Sequence, residues 1–173
     1  MKPLLPLHCF EPVFLPFKNK KIGFVLGFGN VGDYLIEDSA RQLFKKFNIE
    51  SYMVNNRQNP GLFDLEICQK VDEFVFNGGG SMGSLYPENR EIRRRILEFK
   101  KPFTVLPQSF FGKEDFNYKK VWVRETDSFK FSKNAQFAPD LALGYEFEGE
   151  IPEAEYETGI WMREDIEASN LLK

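Results

Sequence analysis

Residues 21–33, with the sequence KIGFVLGFGNVGD, decide the fold class of this chain. The first half of this stretch, Lys21–Leu26, is mostly apolar and predicts a buried β-strand. The second half has glycine at positions 27, 29 and 32, which predicts a tight turn, and Asp33 is placed to cap a following helix. Apolar residues then recur with the spacing of one helix face, at Ile36, Ala40, Leu43, Phe44 and Phe47.

The same alternation of strand, turn and helix continues along the chain. Further strands are predicted at 51–54, 73–77, 103–106 and 121–123, and another strand ends near Ala138-Pro139-Asp140. A helix is predicted to begin at Pro87, because proline suits the first turn of a helix. This alternation predicts an α/β fold with a doubly wound, mainly parallel, Rossmann-like sheet. Polar clusters follow several strands, at the edge where open parallel sheets bind ligands.

The composition is that of a globular chain without a dominant charge. The 173 residues include 23 Lys and Arg, 26 Asp and Glu, and one His, and 42% are hydrophobic. The net charge of −3 excludes a strongly basic nucleic-acid-binding protein, and the 19 Phe predict an aromatic-rich core. Cys9 and Cys68 are too few for a disulfide scaffold or a cysteine zinc site, so we expect free thiols, no metal and a cytoplasmic location.

Composition divides the chain into four segments. Residues 1–20 are a proline-rich lead-in, and residues 21–145 are the predicted Rossmann-like domain. Residues 146–157 are rich in glutamate and predict an acidic linker. Residues 158–173 predict the start of a missing or vestigial second domain, and we expect the last ~15 residues to dock on the first domain or to swap between chains. The apolar part of the lead-in is too short and too broken by prolines to span a bilayer.

Two glycine-rich turns are candidate ligand-binding loops. Residues 27–32, GFGNVG, form a GxGxxG pattern between strand and helix, where backbone N–H groups and the helix dipole favour an anion. Three explanations fit the pattern: a tight turn capped by Asp33, an NADP site in which Arg57 binds the 2′-phosphate, or another ligand site. The Asp33 carboxylate argues against NADP, because it repels a pyrophosphate. Residues 78–81, GGGS, indicate close approach to a ligand or to the facing loop.

Charged residues at strand ends are further candidates. Arg124 directly follows the strand Val121–Val123, and Pro107-Gln108-Ser109 ends the neighbouring predicted strand. A guanidinium at a rigid strand end binds a carboxylate or phosphate through two N–H groups, or else forms an ion pair with nearby Glu125, Asp127 or Asp140. A basic helix end is predicted to be a solvated face; it comprises Arg90, Arg93, Arg94, Arg95, Lys100 and Lys101. His8, the single histidine, lies in the lead-in, and nothing places it near the glycine turns.

Six short motifs, taken together, resemble the polysaccharide pyruvyl transferase family. They are Gly29-Asn30-Val31-Gly32-Asp33 with Leu35-Ile36, Asn77-Gly78-Gly79-Gly80, Val105-Leu106-Pro107-Gln108-Ser109, Val123-Arg124-Glu125 with Ser128, Ala138-Pro139-Asp140-Leu141-Ala142-Leu143, and Arg163-Glu164-Asp165-Ile166-Glu167. No single motif is specific, but the six occur in the family's order. The resemblance implies that the domain is one half of a GT-B-like pair of Rossmann-like domains facing a cleft.

The resemblance also implies a reaction. A pyruvyl group would pass from phosphoenolpyruvate to a sugar of a cell-surface polysaccharide and remain there as a ketal. Phosphoenolpyruvate is the donor substrate, so no cofactor is expected; the expected partners are this donor and a sugar or glycan acceptor, without nucleic acid. Self-association is open. The alternatives are an NADP-binding Rossmann domain and a catalytically inactive remnant of the family.

Within this resemblance, Arg124 is the expected donor-binding residue. Asp33 or Glu125 would orient a sugar hydroxyl or act as a base. The expected substrate-binding residues are Gly29, Asn30, Gly32, Gly78, Gly79, Gly80, Ser81, Gln108 and Ser109. Half of a two-domain cleft cannot exclude water, so we expect the 173-residue chain alone not to turn over phosphoenolpyruvate at a useful rate.

Overall fold

A computed structural model describes residues 2–132, 134–147 and 149, whose centre is a parallel β-sheet. Within these residues the sheet has seven strands. They are β1 (Lys21–Val25), β2 (Glu50–Met53), β3 (Glu73–Phe76), β4 (Gly79–Gly83), β5 (Phe103–Phe111), β6 (Lys120–Val123) and β7 (Ala135–Phe137). The order across the sheet is β2-β1-β3-β5-β6-β7, β4 also pairs with β5, and all of these pairings are parallel.

Helices connect the strands and cover both faces of the sheet. The described α-helices are α1 (Glu11–Phe14), α2 (Val31–Lys46), α3 (Leu65–Lys70) and α4 (Pro87–Leu97). Single 3₁₀ turns lie at Leu7–Phe10, Leu15–Phe17, Thr126–Lys130 and Leu141–Gly144. The predicted doubly wound α/β fold is therefore confirmed. The chain passes from β1 out to β2 and returns on the other side of β1 to β3, so the strand order reverses between β1 and β3. Such a reversal opens a crevice at the carboxyl ends of the strands.

The proline-rich lead-in packs onto the sheet as short helical turns. Phe10, Phe14 and Phe17 are buried there and join the core formed with α2. The Phe14 ring lies 5.2 Å from the Phe44 ring and 5.5 Å from the Phe47 ring, centroid to centroid. The described part of the lead-in thus shares its hydrophobic core with the residues that follow it.

Each face of the sheet has its own apolar core. One core includes the lead-in and the inner face of α2, and the other lies beneath α3 and α4. Phenylalanines supply much of both, as the composition predicts. Cys9 and Cys68 are free thiols, and burial raises the pKa of Cys68. Among the described residues, no helix has the length and apolarity to cross a membrane, and no group of three potential ligands is placed to hold a metal ion.

The structure corrects the prediction that β5 ends before Pro107. This strand continues to Phe111, and its partner along the second half is β4, in the segment predicted as a glycine loop. The pairing of β5 with β6 shifts register between Val105 and Gln108. Proline has no N–H to donate, and such an irregularity lets a strand continue past it. Residues 79–81 of the predicted loop are therefore strand residues.

The predicted solvated face of α4 is wrong at Arg93, whose side chain is fully buried with Glu114. The Arg93 Nε and Nη2 atoms donate to the two oxygens of Glu114 at 2.8 and 2.6 Å. The same carboxylate accepts hydrogen bonds from the backbone N–H of Gly83, at 2.9 Å, and from the hydroxyl of Tyr118. A buried guanidinium needs such a partner, because an unpaired charge in the interior is strongly destabilising. The pair fastens α4 to the end of β4.

The predicted acidic linker begins within the described residues. The backbone N–H of Glu146 donates to Gln42 at 2.9 Å, and the Lys46 ammonium lies 2.7 Å from the Glu146 carboxylate, so this residue is held against α2. Most of the remaining linker, the predicted second-domain start at 158–173 and the motif at 163–167 lie outside the described residues.

Candidate functional site

A cavity of about 530 Å³ lies at the point where the strand order reverses. It is formed by the turn after β1, the first turns of α2, the start of β4 and the end of β6. Its volume is in the range of cavities that hold small molecules. Of the predicted site residues, the cavity brings together Gly29, Asn30, Gly32, Asp33, Gly80, Ser81 and Arg124.

The turn after β1 is closed by its own side chains. Asn30, not Asp33 as predicted, caps α2, and its side chain accepts a hydrogen bond from the Gly32 N–H at 2.9 Å. Asp33 lies three residues further and accepts from the Asn30 N–H at 2.9 Å, which completes a capping box. The Gly32 N–H in the first turn of α2 and the Asn30 N–H before it are therefore already hydrogen-bonded. The turn places a carboxylate at the cavity, and not a set of unpaired backbone N–H groups that could bind a phosphate.

The second glycine segment lies against this carboxylate. Gly79 has a φ of 141°, and a Cβ atom there would lie 2.6 Å from Asp33 Oδ1. A Cβ atom at Gly78 would lie 2.9 Å from both Ile36 Cγ2 and the Pro107 carbonyl oxygen. Close approach of the two chain segments thus accounts for the glycines at 78 and 79.

Gln108 lies beneath the cavity and does not line it. Its side chain is buried, accepts from the Ser81 N–H at 2.9 Å and donates to the Asn77 carbonyl at 2.6 Å. Both ends of the amide are therefore bonded to residues 77–81, a segment that includes the start of β4. Gln108 shapes this segment, and through it positions Gly80 and Ser81.

Arg124 is held at the end of β6 by two side chains. Its Nε donates to Ser109 Oγ at 2.8 Å, and its Nη1 lies 2.6 Å from Asp140 Oδ2. The expected alternative of an ion pair is therefore realised with Asp140. The third nitrogen, Nη2, has no hydrogen-bond partner among the described residues, and a Cβ atom at Gly80 would lie 3.3 Å from it. The side chain is 28% exposed and lines the cavity, so Nη2 is available to a ligand.

Glu125 is outside the cavity lining. Its Oε1 accepts a hydrogen bond from the hydroxyl of Ser128, whose oxygen in turn accepts from the Phe110 N–H at 2.8 Å. Glu125 Oε2 is buried and has no hydrogen-bond partner among the described residues. This placement ties the turn at Thr126–Lys130 to β5. Of the two carboxylates proposed as base, the structure places Asp33 at the cavity.

Arg57 is occupied by protein groups. Its guanidinium contacts Glu37, lies 2.5 Å from the Asp38 carboxylate and stacks 4.7 Å from the centre of the Tyr34 ring. The hydrogen bond to Glu37 is the main cause of a raised pKa for Arg57. A 2′-phosphate would have to displace these partners, so the NADP explanation is not favoured. His8 is exposed in the first 3₁₀ turn and does not line the cavity.

Sequence reasoning missed the apolar part of the cavity. Phe28, Leu35, Tyr86 and Ala142 line it beside the polar residues. The Phe28 side chain is 50% exposed. The sequence did indicate a role for Phe28, because a tight turn between two glycines does not itself require a large aromatic residue.

The sequence matches the polysaccharide pyruvyl transferase family model over residues 30–168, which is most of the chain. The chain belongs to this family. Among curated proteins, EpsO of Bacillus subtilis (strain 168), whose name assigns it to the pyruvyl transferases, is 34% identical over 99 residues. This match covers 54% of the chain and 29% of EpsO, so the chain corresponds to less than a third of that relative.

A solved structure supports the fold of this pyruvyl transferase family member. A functionally uncharacterised protein from Klebsiella pneumoniae subsp. pneumoniae NTUH-K2044 superposes with a TM-score of 0.57 at 18% identity. The superposition covers 76% of this chain and 54% of the other. At this identity the comparison concerns the arrangement of strands and helices alone.

Proposed function

We propose that this chain binds phosphoenolpyruvate in the switch-point cavity and supplies this site to the transfer of a pyruvyl group onto a sugar of a cell-surface polysaccharide. The proposal rests on the hydrogen bonding of the Arg124 guanidinium. Two of its nitrogens are used to fix the guanidinium, the third has no hydrogen-bond partner among the described residues, and the side chain lines the cavity. A cytoplasmic location, where phosphoenolpyruvate is made, is part of the same proposal.

The donor suits the Arg124 end of the cavity. Phosphoenolpyruvate carries a carboxylate and a phosphate, and both are recognised by N–H donors held in a plane. Ser81 lies at the same end, and its hydroxyl makes no hydrogen bond to the described residues, so it is a second donor for the anion. The Asp140 partner fixes the plane of the guanidinium while leaving Nη2 directed at the ligand.

The acceptor suits the Asp33 end. In the proposed reaction, the oxygen of one sugar hydroxyl adds to C2 of the donor, and the proton that this hydroxyl loses is passed to C3. A second hydroxyl then forms the other C2–O bond as phosphate leaves with the second hydroxyl proton. A carboxylate that orients these hydroxyls and accepts a proton from one of them is required near C2. Asp33 is held by the Asn30 N–H on one oxygen and lies at the cavity, which makes it the candidate for this role.

The two charged groups approach consecutive residues. Asp33 Oδ1 is the atom nearest to a Cβ placed at Gly79, and Arg124 Nη2 is the atom nearest to one placed at Gly80. Asp33 and Arg124 line the same cavity, so a donor held by Arg124 and a hydroxyl held by Asp33 would share it.

Calorimetric titration of the 173-residue chain with phosphoenolpyruvate tests the proposal, with NADPH as a parallel titrant. We expect phosphoenolpyruvate to bind and Arg124→Ala to weaken the binding roughly 30-fold to 900-fold. Binding of NADPH that depends on Arg57, without binding of phosphoenolpyruvate, would instead establish the dinucleotide alternative. Binding of neither ligand would favour the inactive remnant.

A further inference from the structure

Phe28 places a half-exposed aromatic ring at the mouth of the cavity. The side chain is 50% exposed, although phenylalanines elsewhere in the chain supply the buried cores. A single exposed apolar residue needs no explanation on its own. Phe28 differs because the structure fixes its backbone with an unusual pair of contacts.

These contacts come from one buried side chain on α4. Asn89 Oδ1 accepts from the Phe28 N–H at 2.6 Å, and Asn89 Nδ2 donates to the Phe28 carbonyl at 2.9 Å. A Cβ atom at Gly27 would lie 2.7 Å from Asn89 Oδ1, so the preceding glycine makes room for this amide. Both backbone hydrogen-bonding groups of Phe28 are thereby tied to α4. The position of the ring follows from the fold and not from a loose loop.

A second aromatic ring, that of Tyr86, belongs to the residue next to the same helix. Tyr86 directly precedes α4 and lines the cavity with Phe28, and its hydroxyl makes no hydrogen bond to the described residues. The buried pair of Arg93 and Glu114 fastens this helix to the end of β4. The anchored helix holds the backbone of Phe28 through Asn89 and begins directly after Tyr86. We call these two rings the aromatic wall (Phe28 and Tyr86).

We infer, on the basis of the proposed function, that the aromatic wall binds one face of the acceptor's pyranose ring. The C–H groups on such a face carry small positive partial charges, which the electron-rich face of an aromatic ring attracts. The phosphoenolpyruvate anion gains nothing from this surface and is drawn to Arg124. The hydroxyl edge of a sugar seated on the wall faces the same cavity as Asp33. The wall thus selects the acceptor, and Asn89 is a positioning residue for it.

Saturation-transfer NMR on the 173-residue chain, with a set of methyl hexopyranosides as probes, tests this inference. We expect transfer to concentrate on the C–H protons of one ring face. Phe28→Ala should weaken the best-bound glycoside roughly twofold to tenfold, the scale of one aromatic contact, and Phe28→Trp should keep it. The matched control is Phe137→Ala, because Phe137 is 56% exposed on β7 and does not line the cavity.

Calorimetry with phosphoenolpyruvate on the same variants separates the inference from the proposed function. We expect wild type and Phe137→Ala to bind phosphoenolpyruvate equally, and urea unfolding of these two proteins and of Phe28→Ala shows that the variants are folded. Glycoside binding that is absent, or that Phe28→Ala leaves unchanged, while phosphoenolpyruvate still binds, overturns the wall and leaves the donor site standing. Glycoside binding that depends on Phe28 in a chain that does not bind phosphoenolpyruvate supports the wall and refutes the donor site.

Discussion

Replacing Arg124 by alanine tests the donor site most directly. The change removes the hydrogen bond to Ser109, the ion pair with Asp140 and the Nη2 group that is available to a ligand in the cavity. The first two losses affect folding, and the third affects a ligand. The effect on folding and the effect on ligand binding are reported by different measurements, so they can be separated.

The folding cost is small because water reaches the pair. The side chains of Arg124 and Asp140 are 28% and 27% exposed, and Asp140 keeps its hydrogen bond from the Ala142 N–H at 2.9 Å in the variant. We therefore expect Arg124→Ala to lower the free energy of unfolding by about 1–2 kcal/mol. Loss of a fixed donor to an anion costs about 2–4 kcal/mol, which lowers the affinity for phosphoenolpyruvate roughly 30-fold to 900-fold.

Urea unfolding and calorimetric titration of one protein preparation measure both effects. Arg124→Lys should recover part of the affinity, because one ammonium cannot replace a planar group with several donors. Arg94→Ala is the control, since Arg94 pairs with Glu91 and Glu98 on the outer face of α4 and does not line the cavity. An Arg124→Ala variant that is destabilised but binds phosphoenolpyruvate like the wild type would show that Arg124 is a structural ion pair and refute the donor site.

Three further predictions concern the second glycine segment, the buried carboxylate of Glu73 at the amino end of β3, and Asn89 of α4; urea unfolding measures each. Gly79→Ala should lower the free energy of unfolding by about 1–3 kcal/mol, because the new Cβ would lie 2.6 Å from Asp33 Oδ1. Gly61→Ala is the control and should change this free energy little, because the atom nearest to its new Cβ is 3.9 Å away. Equal effects of the two substitutions would show that contact with Asp33 does not require glycine at position 79. Burial alone would raise the pKa of Glu73, but hydrogen bonds from two lysines and a threonine lower it below 4.5. Its stabilising contribution is therefore complete above pH ~4.5 and lost as the pH falls through the lowered pKa, so Glu73→Gln should flatten the loss of stability on acidification; an unchanged pH profile would speak against this. Asn89→Ala should cost about 1–3 kcal/mol, because the backbone groups of the first glycine turn lose both partners, and a cost near zero would show that water replaces the amide.

The sheet could be predicted from sequence because its signals are local. Strands β1 and β3 are short apolar runs, each followed by a glycine two residues after its end, and a helical spacing of apolar residues follows β1, so these units are identified without knowledge of the others. The signal for the cap of α2 was also local: Asn30 precedes an acidic residue by three positions, which is the pattern of a capping box. Asp33 is a good capping residue too, and preferring it placed the helix start three residues late.

In the lead-in, the prolines obscured a helical spacing of phenylalanines. Phe10, Phe14 and Phe17 follow the spacing of one helix face, and all three are buried. Prolines at 12 and 16 favoured an irregular segment, yet each lies at the first or second position of a short helical turn, where proline is tolerated.

Other features depend on contacts between distant residues. The extension of β5 needs β4 as its partner, and the burial of Arg93 needs Glu114, 21 residues away. Neither contact has a pattern in the surrounding sequence. The same holds for Arg124, whose available nitrogen is defined by Ser109 and Asp140, on two other segments. The presence of an arginine at a strand end suggested an anion site. Contacts with distant residues determine which of its nitrogens is available to a ligand.

The two glycine segments have different roles from those that a nucleotide-binding pattern would give them. In the first, the Gly32 and Asn30 N–H groups are bonded to the side chains of Asn30 and Asp33, so a phosphate placed there would meet a carboxylate. In the second, Gly79 is required by this carboxylate and Gly80 leaves space in front of the Arg124 guanidinium. The glycines therefore let two opposite charges approach adjacent residues of one strand. Such a cavity repels anions at one end and attracts them at the other. This arrangement favours a ligand pair consisting of an anionic donor and a neutral hydroxyl acceptor over a single dinucleotide.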